Sequence, residues 1–122
     1  MPPDGTRLLI VDDDVSNRMT LSALLEDEGY SVETAESFEE GADKLATAGP
    51  FALVLLDLHL GSHLGTDLIP KIRAANAQSR ICLVSGSNSS AEDIPGVDAT
   101  MAKGEAFDTI LARLEQLLRA GE

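Results

Sequence analysis

The amino-acid sequence predicts an α/β fold, in which a parallel β-sheet is covered by helices on both faces. Short apolar segments alternate along the chain with longer segments whose apolar residues recur at helical spacing. Residues 51–56 are apolar throughout, which is typical of a strand buried on both faces in the middle of a parallel sheet. Strands that alternate with helices in this way are expected to be parallel, with each helix crossing over to the next strand.

Five strands and five helices are predicted. The strands are expected at residues 7–11, 31–35, 51–57, 80–84 and 99–102. The helices are expected at residues 16–28, 37–48 and 105–119, in a segment that begins at residue 65, and as a turn or two within residues 87–96. The first six residues, with two prolines and a glycine, are expected to fray, and residues 58–64 are expected to form a loop.

Local signals support the boundaries of the helices. Gly29 is placed to end the first helix, and Ser37 with Glu40 forms a capping-box pattern at the start of the second. Pro70 falls in the first turns of the third helix, where a missing N–H group costs least. The last helix has the clearest apolar periodicity, over residues 107–118.

The most apolar strand, which is expected at the centre of the sheet, indicates the order of the strands. When the central strand, 51–57, lies beside the first, the five units adopt the strand order 2-1-3-4-5, a flavodoxin-like, doubly wound three-layer sandwich with a shortened fourth helix. The 122 residues are expected to form a single domain, 1–122, with its core at about 7–119.

The composition of the chain argues against several classes of function. The chain carries 9 basic and 21 acidic residues, a formal net charge of −12, so nucleic acids and anionic membranes would repel it. The single cysteine, Cys82, cannot form an internal disulfide and is expected to be buried in an apolar strand. Because no signal-peptide pattern and no apolar segment of membrane length are present, we expect a soluble, cytoplasmic protein.

Polar and charged residues lie where the predicted strands end. Asp12 and Asp13 follow the first strand, Asp57 ends the third, Ser85 follows the fourth and Lys103 follows the fifth. Because the carboxyl ends of parallel strands meet at one edge of the sheet, where α/β folds place their ligands, we expect these side chains to lie together. The sequence therefore predicts a functional site with Asp57 at its centre.

This combination of residues suits the transfer of a phosphoryl group onto a carboxylate. Crowded carboxylates repel one another, and a Mg²⁺ ion, which prefers oxygen ligands, would offset that repulsion. Lys103 and the Ser85 hydroxyl would hold phosphoryl oxygens, and Asp57 would be the nucleophile. Each residue also has a simpler interpretation, because aspartates cap helices, Ser85 can be a loop hydroxyl and Lys103 a surface amine. Their position at successive strand ends favours the functional interpretation.

The sequence resembles the CheY-like receiver domain of two-component response regulators over residues 7–119. The similarity lies in the acidic cluster that ends segment 8–14, the segment 55–58 around Asp57, the segment 84–86 around Ser85 and the pair 102–103. The resemblance implies that Asp57 is phosphorylated by a histidine kinase or a histidine phosphotransfer protein, for which small phosphodonors can substitute.

The resemblance also implies the ligands of the metal and the kind of activity. Mg²⁺ would be bound by Asp12, Asp13, Asp57 and the backbone carbonyl of His59, with Asp13 the more direct of the first two. The domain would assist its own phosphorylation and dephosphorylation without turning over an external substrate. Its phosphorylation would switch interactions with a downstream protein.

Several positions depart from the family pattern. Thr100 occupies the position of an aromatic switch residue, and Gly104 follows the lysine where the family has a cis proline. The span from Ser85 to Lys103 is about one helical turn shorter than usual. These departures predict an altered output face on the fourth helix, the fifth strand and the last helix. His59 either alters autodephosphorylation or is a solvated loop residue.

Alternative functions remain open. A pseudo-receiver would bind partners without phosphorylation, and the departures at the switch favour it. A phosphatase of the haloacid dehalogenase type needs a second acid where His59 stands, and a flavin mononucleotide carrier needs a phosphate loop where Asp12 and Asp13 would repel the phosphate. The sequence specifies neither the cognate kinase and target nor the oligomeric state, and the domain can be a stand-alone protein or part of a larger one.

Overall fold

A computed structural model describes residues 6–85 and 96–120 of the chain. The strands in these ranges are β1 (Arg7–Val11), β2 (Ser31–Ala35), β3 (Leu53–Asp57), β4 (His59–Leu60), β5 (His63–Leu64), β6 (Arg80–Ser85) and β7 (Ala99–Ala102). The helices are α1 (Val15–Asp27), α2 (Phe38–Thr47), α3 (Ile69–Ala75) and α4 (Phe107–Ala120), with a 3-10 turn at Gly65–Leu68. No helix in the described ranges is both long and apolar enough to cross a membrane.

Five parallel strands form the main sheet, in the order β2-β1-β3-β6-β7. This finding confirms the predicted order 2-1-3-4-5, because β6 and β7 are the predicted fourth and fifth strands. Every residue of β3 is buried, as its apolar sequence predicts for a central strand. Strand β2 lies at one edge of the sheet and β7 at the other.

Two hydrophobic cores cover the faces of the sheet, because successive residues of a strand point to opposite sides. The core beneath α2 and α3 contains Leu9, Val11, Leu45, Val54, Leu56, Ile72, Ile81 and Leu83. The core beneath α1 and α4 contains Leu8, Ile10, Leu21, Leu25, Leu53, Leu55, Cys82, Met101, Ile110 and Leu114. Cys82 is fully buried in this second core, as expected.

The helix signals identified in the sequence are present in the structure. Gly29 follows α1 with a φ of +104°, a left-handed conformation that glycine adopts without strain. At α2 the Ser37 hydroxyl accepts a hydrogen bond from the Glu40 N–H group at 3.1 Å. The reciprocal bond is shifted by one residue, because the Glu40 carboxylate accepts from the N–H group of Glu36, at 2.9 Å, rather than from that of Ser37.

The structure corrects three of the predicted boundaries and leaves one segment untested. Residues 58–64 are not a plain loop, since β4 and β5 pair as a two-stranded antiparallel hairpin. The central strand begins at Leu53 rather than at residue 51, and the third helix opens with a 3-10 turn before α3. The helix predicted within residues 87–96 lies outside the described residues, except for Gly96.

Candidate functional site

The polar residues that end the strands meet at one edge of the sheet. Asp12 follows β1, Asp57 is the last residue of β3, Ser85 is the last residue of β6, and Lys103 follows β7. Asp12, Asp57 and Ser85 are almost fully buried, at 3%, 3% and 4% exposure. Asp13 is exposed. The fold therefore places both buried and accessible acidic groups at the carboxyl edge.

Three carboxylates converge at this edge in a group that fits a divalent cation. Asp12, Asp13 and Asp57 each offer one oxygen, and these three oxygens lie within 4.8 Å of one another. An all-oxygen donor set of carboxylates suits Mg²⁺ or Ca²⁺ rather than a metal that prefers nitrogen or sulfur. It is the one group of three or more potential metal ligands found among the residues described.

Lys103 lies opposite the carboxylates. Its amine is 3.1 Å from an Asp57 oxygen, to which it donates a hydrogen bond, and 3.6 Å from an Asp12 oxygen. Burial by itself would lower the pKa of Lys103, but the hydrogen bond to Asp57 and the charges of Asp57 and Asp12 outweigh it and raise the pKa. The amine is therefore a permanent positive charge within the acidic group.

The electrostatics of the site act most strongly on Asp57. Burial raises the pKa of the Asp57 carboxyl group to about 6; the Lys103 hydrogen bond opposes this shift, and the charge of Asp12 adds to it. The carboxylate is ionised above that pH, although the folded protein holds it in surroundings that disfavour its charge. A positive ion or an additional hydrogen-bond donor would therefore be favoured at this position.

Strand β1 and the start of α1 orient Asp12. One Asp12 oxygen accepts a hydrogen bond from the backbone N–H group of Asp14 at 2.9 Å, and the other accepts from the amide of Asn17. Arg18 donates to the Asp12 backbone carbonyl at 2.7 Å and lies 3.7 Å from the Glu36 carboxylate. These contacts of Asn17 and Arg18 were not predicted, because their spacing in sequence is that of any helix surface.

The β4–β5 hairpin holds the other side of the site. The His59 N–H group donates to Asp57 at 3.3 Å, and the Gly61 N–H group donates to Asp13 at the same distance. A methyl group at Gly65 would lie only 1.8 Å from the Asp57 carbonyl oxygen, so any larger residue would displace the end of β3. The need for glycine at position 65 was also missed, because the contact is visible only in three dimensions.

The structure gives the positions of the other residues singled out in the sequence, His59, His63 and Thr100, but assigns them no chemical role. The His59 ring belongs to an exposed residue of β4, and His63 of β5 stacks on Phe38 with ring centroids 4.5 Å apart. Thr100 lies within β7 opposite Leu83, and its carbonyl accepts a hydrogen bond from Arg113 at 3.3 Å. The role of Thr100 as an atypical switch position stays a prediction.

The fold and the site define a class of protein, a doubly wound α/β domain with an acidic cluster and a lysine at the carboxyl edge of its sheet. Comparison of the sequence with known families agrees, because the sequence model of the response regulator receiver domain matches residues 8–115. The chain therefore belongs to the response regulator receiver domain family. Such domains are signalling modules of two-component systems.

Curated relatives and solved structures give the same result. The chain is 38% identical over 124 residues to the acid tolerance regulatory protein ActR of Sinorhizobium medicae, covering 98% of this chain and 62% of that protein. It is 32% identical over 117 residues to the cell cycle transcriptional regulator CtrA of Caulobacter vibrioides, covering 93% of this chain and 50% of that protein. The chain thus spans about half the length of the regulator CtrA and somewhat more of ActR.

Two solved structures illustrate the structural match. A CheY-like receiver domain protein from Methanospirillum hungatei superposes with a TM-score of 0.87 at 30% identity, covering 95% of each chain. The response regulator TrrA from Thermotoga maritima, in complex with Mg²⁺-BeF, superposes with a TM-score of 0.81 at 29% identity, covering 92% of this chain and 98% of that one. The fold prediction is confirmed by these matches.

Proposed function

We propose that this domain accepts a phosphoryl group on Asp57 and thereby switches its interactions with a partner protein. The observation that carries the proposal is the position of Asp57, which is buried and ionisable, lies within 4.8 Å of two other carboxylates and is 3.1 Å from the Lys103 amine. A histidine kinase or a histidine phosphotransfer protein would be the donor, in the cytoplasm. Family membership supports this assignment.

The transfer step requires a nucleophile and a group to hold the phosphoryl oxygens. An ionised oxygen of Asp57 attacks the phosphorus, the bond from phosphorus to the imidazole nitrogen of the donor breaks, and that nitrogen takes up a proton. The product is an acyl phosphate on Asp57. Lys103 is placed to shift its hydrogen bond from the Asp57 carboxylate to a phosphoryl oxygen, and the Ser85 hydroxyl is proposed to hold another.

Asp12, Asp13 and Asp57, with the His59 carbonyl, are the proposed ligands of Mg²⁺. The bound ion would supply positive charge that neutralises the acidic group and the phosphoryl oxygens. The convergence of three carboxylate oxygens and the Mg²⁺-BeF complex of TrrA support this assignment. Asn17 and Arg18 would hold Asp12 in the orientation that the ion needs.

Phosphorylation can be tested by mass. The protein is incubated with MgCl₂ and phosphoramidate or acetyl phosphate, and its intact mass is then measured. We expect the gain of one phosphoryl group, its loss in Asp57→Asn, and its retention in Asp67→Asn, which alters an exposed aspartate outside the acidic group. A protein that gains no mass, or an Asp57→Asn variant that gains as much, would contradict the proposal.

A pseudo-receiver that binds partners without phosphorylation is the second candidate. The observation that favours it is the aliphatic hydroxyl residue Thr100 at the switch position, whose carbonyl is held by Arg113. The same mass measurement separates the two functions. The proteins captured by the unmodified and Asp57→Asn forms are then compared. This comparison tests whether binding of the partner depends on the phosphoryl group.

The domain organisation is the last part of the proposal. We propose that residues 1–122 form one receiver domain, which acts alone or as part of a larger regulator or hybrid kinase. The relatives ActR and CtrA extend beyond the region they share with this chain. The name of CtrA describes a transcriptional regulator, whereas the net charge of −12 argues against direct DNA binding by this domain.

A further inference from the structure

The turn that carries Lys103 lacks the covalent constraint of a proline. Gly104 follows Lys103 with a φ of +89°, a left-handed conformation that favours glycine. A methyl group built at Gly104 would meet no heavy atom within 4 Å, so packing against position 104 does not fix the turn. The backbone of the turn is held instead by hydrogen bonds, among them that of the Glu105 N–H group to the Ala102 carbonyl at 3.4 Å.

The side chains of Glu105 and Arg113 form hydrogen bonds with the outer edge of β7, beside this turn. Among the strands that the structure describes, β7 pairs only with β6, on one side. On its other side, a Glu105 carboxylate oxygen accepts a hydrogen bond from the Ala102 N–H group at 2.7 Å, and Arg113 donates to the Thr100 carbonyl at 3.3 Å. The same Arg113 nitrogen lies 3.3 Å from both Glu105 oxygens, so the two side chains act as one unit.

The Glu105–Arg113 pair acts on the residue directly before Lys103. On the inner side of β7, the Lys103 N–H group donates to the Ser85 carbonyl at 2.8 Å. On the outer side, the Glu105 carboxylate holds the N–H group of Ala102. The Glu105 and Arg113 side chains are 25% and 33% exposed, so water screens their attraction less than that of a fully solvated pair.

We propose that Glu105 and Arg113 are positioning residues, which hold the turn after β7 so that the Lys103 amine reaches Asp57. This inference rests on the function proposed above, in which that amine holds a phosphoryl oxygen. A turn that contains glycine has many accessible backbone conformations, and each would direct the amine differently. Because a misplacement of about 1 Å can slow a positioned reaction strongly, the pair is expected to control the rate of phosphorylation.

A double-mutant cycle tests whether Glu105 acts through Lys103. Phosphorylation by phosphoramidate with MgCl₂ is followed by intact mass in the unmodified protein, Glu105→Ala, Lys103→Ala and the double variant. We expect Glu105→Ala to lower the rate constant about tenfold when Lys103 is present and less than about twofold in the Lys103→Ala background. Equal fold losses in the two backgrounds would overturn the proposal.

The opposite edge of the sheet provides a matched control. Glu33 of β2 pairs with Lys44 of α2 at 2.7 Å, and their side chains are 34% and 32% exposed. Glu33→Ala therefore removes an ion pair of similar exposure from an edge strand that does not carry Lys103. We expect a change in rate of less than about twofold for Glu33→Ala. A Glu105→Ala effect that is no larger than the Glu33→Ala effect would also overturn the proposal.

A second measurement does not depend on phosphorylation. The rate at which acetic anhydride acetylates Lys103 is measured by peptide mass spectrometry. We expect acetylation about threefold faster or more in Glu105→Ala, because the released amine is less protected by Asp57, and an almost unchanged rate in Glu105→Gln, which keeps an acceptor oxygen. An unchanged rate in Glu105→Ala would contradict the positioning role. If the unmodified protein gains no phosphoryl group, the proposed function fails, while this comparison still tests the position of Lys103.

Discussion

At the residue scale, the burial of Asp57 has a consequence for stability. Its pKa is about 6 in the folded protein, against an ordinary value of 3.8 that the unfolded chain is expected to have. The folded state therefore holds the proton more tightly than the unfolded state. The stability that this group contributes is present below about pH 3.8 and is lost as the pH rises through about 6.

We therefore expect Asp57→Asn, which removes the buried charge, to stabilise the metal-free protein by about 2 kcal/mol at about pH 7.5. The advantage should fall by more than half at about pH 4.5, where the folded protein already holds the proton. Urea unfolding in EDTA at the two pH values measures both quantities. An advantage of equal size at the two pH values would show that a buried charge is not its cause, and Asp67→Asn is the control.

Gly65 provides a second prediction at this scale. Because a methyl group there would lie 1.8 Å from the Asp57 carbonyl oxygen, we expect Gly65→Ala to lower the free energy of unfolding by about 3 kcal/mol. Gly61→Ala is the comparison, since position 61 has a φ of +62° and open space around it, and its expected cost is about 1 kcal/mol. Similar losses of stability in the two variants, measured with urea, would contradict the steric explanation.

At the scale of elements, the start of α2 depends on a single hydroxyl. Ser37 accepts the hydrogen bond of the Glu40 N–H group, which has no partner within the helix. We expect Ser37→Ala to lower the free energy of unfolding by about 1 kcal/mol. Thermal or urea unfolding is compared with Ser31→Ala, the same substitution at an exposed position of β2, which is expected to be nearly neutral.

The elements also show which parts of the structure were predictable from sequence. Strands such as β1 and β3 could be predicted because a short run of apolar residues is best buried as a strand inside a sheet. Helix α4 could be predicted because its apolar residues repeat at helical spacing. The hairpin of β4 and β5 could not, since two-residue strands are too short to show alternation. The 3-10 turn before α3 was missed because its sequence also fits the first turn of an α-helix.

Some residues of the candidate site could also be predicted from the sequence, and others could not. Asp12, Asp57, Ser85 and Lys103 were predictable, because a residue at the end of a parallel strand has a position that the topology determines. The supporting contacts of Arg18, Gly65 and the Glu105–Arg113 pair were not. Each depends on the distance between segments that are separated in sequence, and the residue types involved are common on helix and loop surfaces.

At the scale of the whole molecule, binding of the proposed Mg²⁺ ion would stabilise the folded state. A ligand that binds only the folded state raises the free energy of unfolding, by about 1.4 kcal/mol at ten times its Kd. We therefore expect MgCl₂ to raise the Tm of the protein by about 5 °C at that concentration. Thermal unfolding with and without MgCl₂ measures the shift.

Variants of Asp13, which lies in the site, and of Asp14, which lies beside it, distinguish coordination of Mg²⁺ from a general electrostatic attraction. Asp13→Asn should abolish most of the Mg²⁺ shift, because it removes one of the three converging carboxylates. Asp14→Asn removes the same charge one residue away but keeps an oxygen that can cap α1, and it should retain the shift. Equal losses in both variants would indicate that Mg²⁺ responds only to the overall acidity of this surface.

Strand β3 pairs along its length with β1 on one side and β6 on the other, and Asp57, the proposed acceptor, is its last residue. Backbone amides in such a position exchange with deuterated solvent chiefly when the whole domain opens. A chemical change at Asp57 should therefore leave the slow exchange of the β3 amides in place. The altered exchange would instead be concentrated in residues 12–14 and 103–106, which follow β1 and β7 and lie outside the sheet.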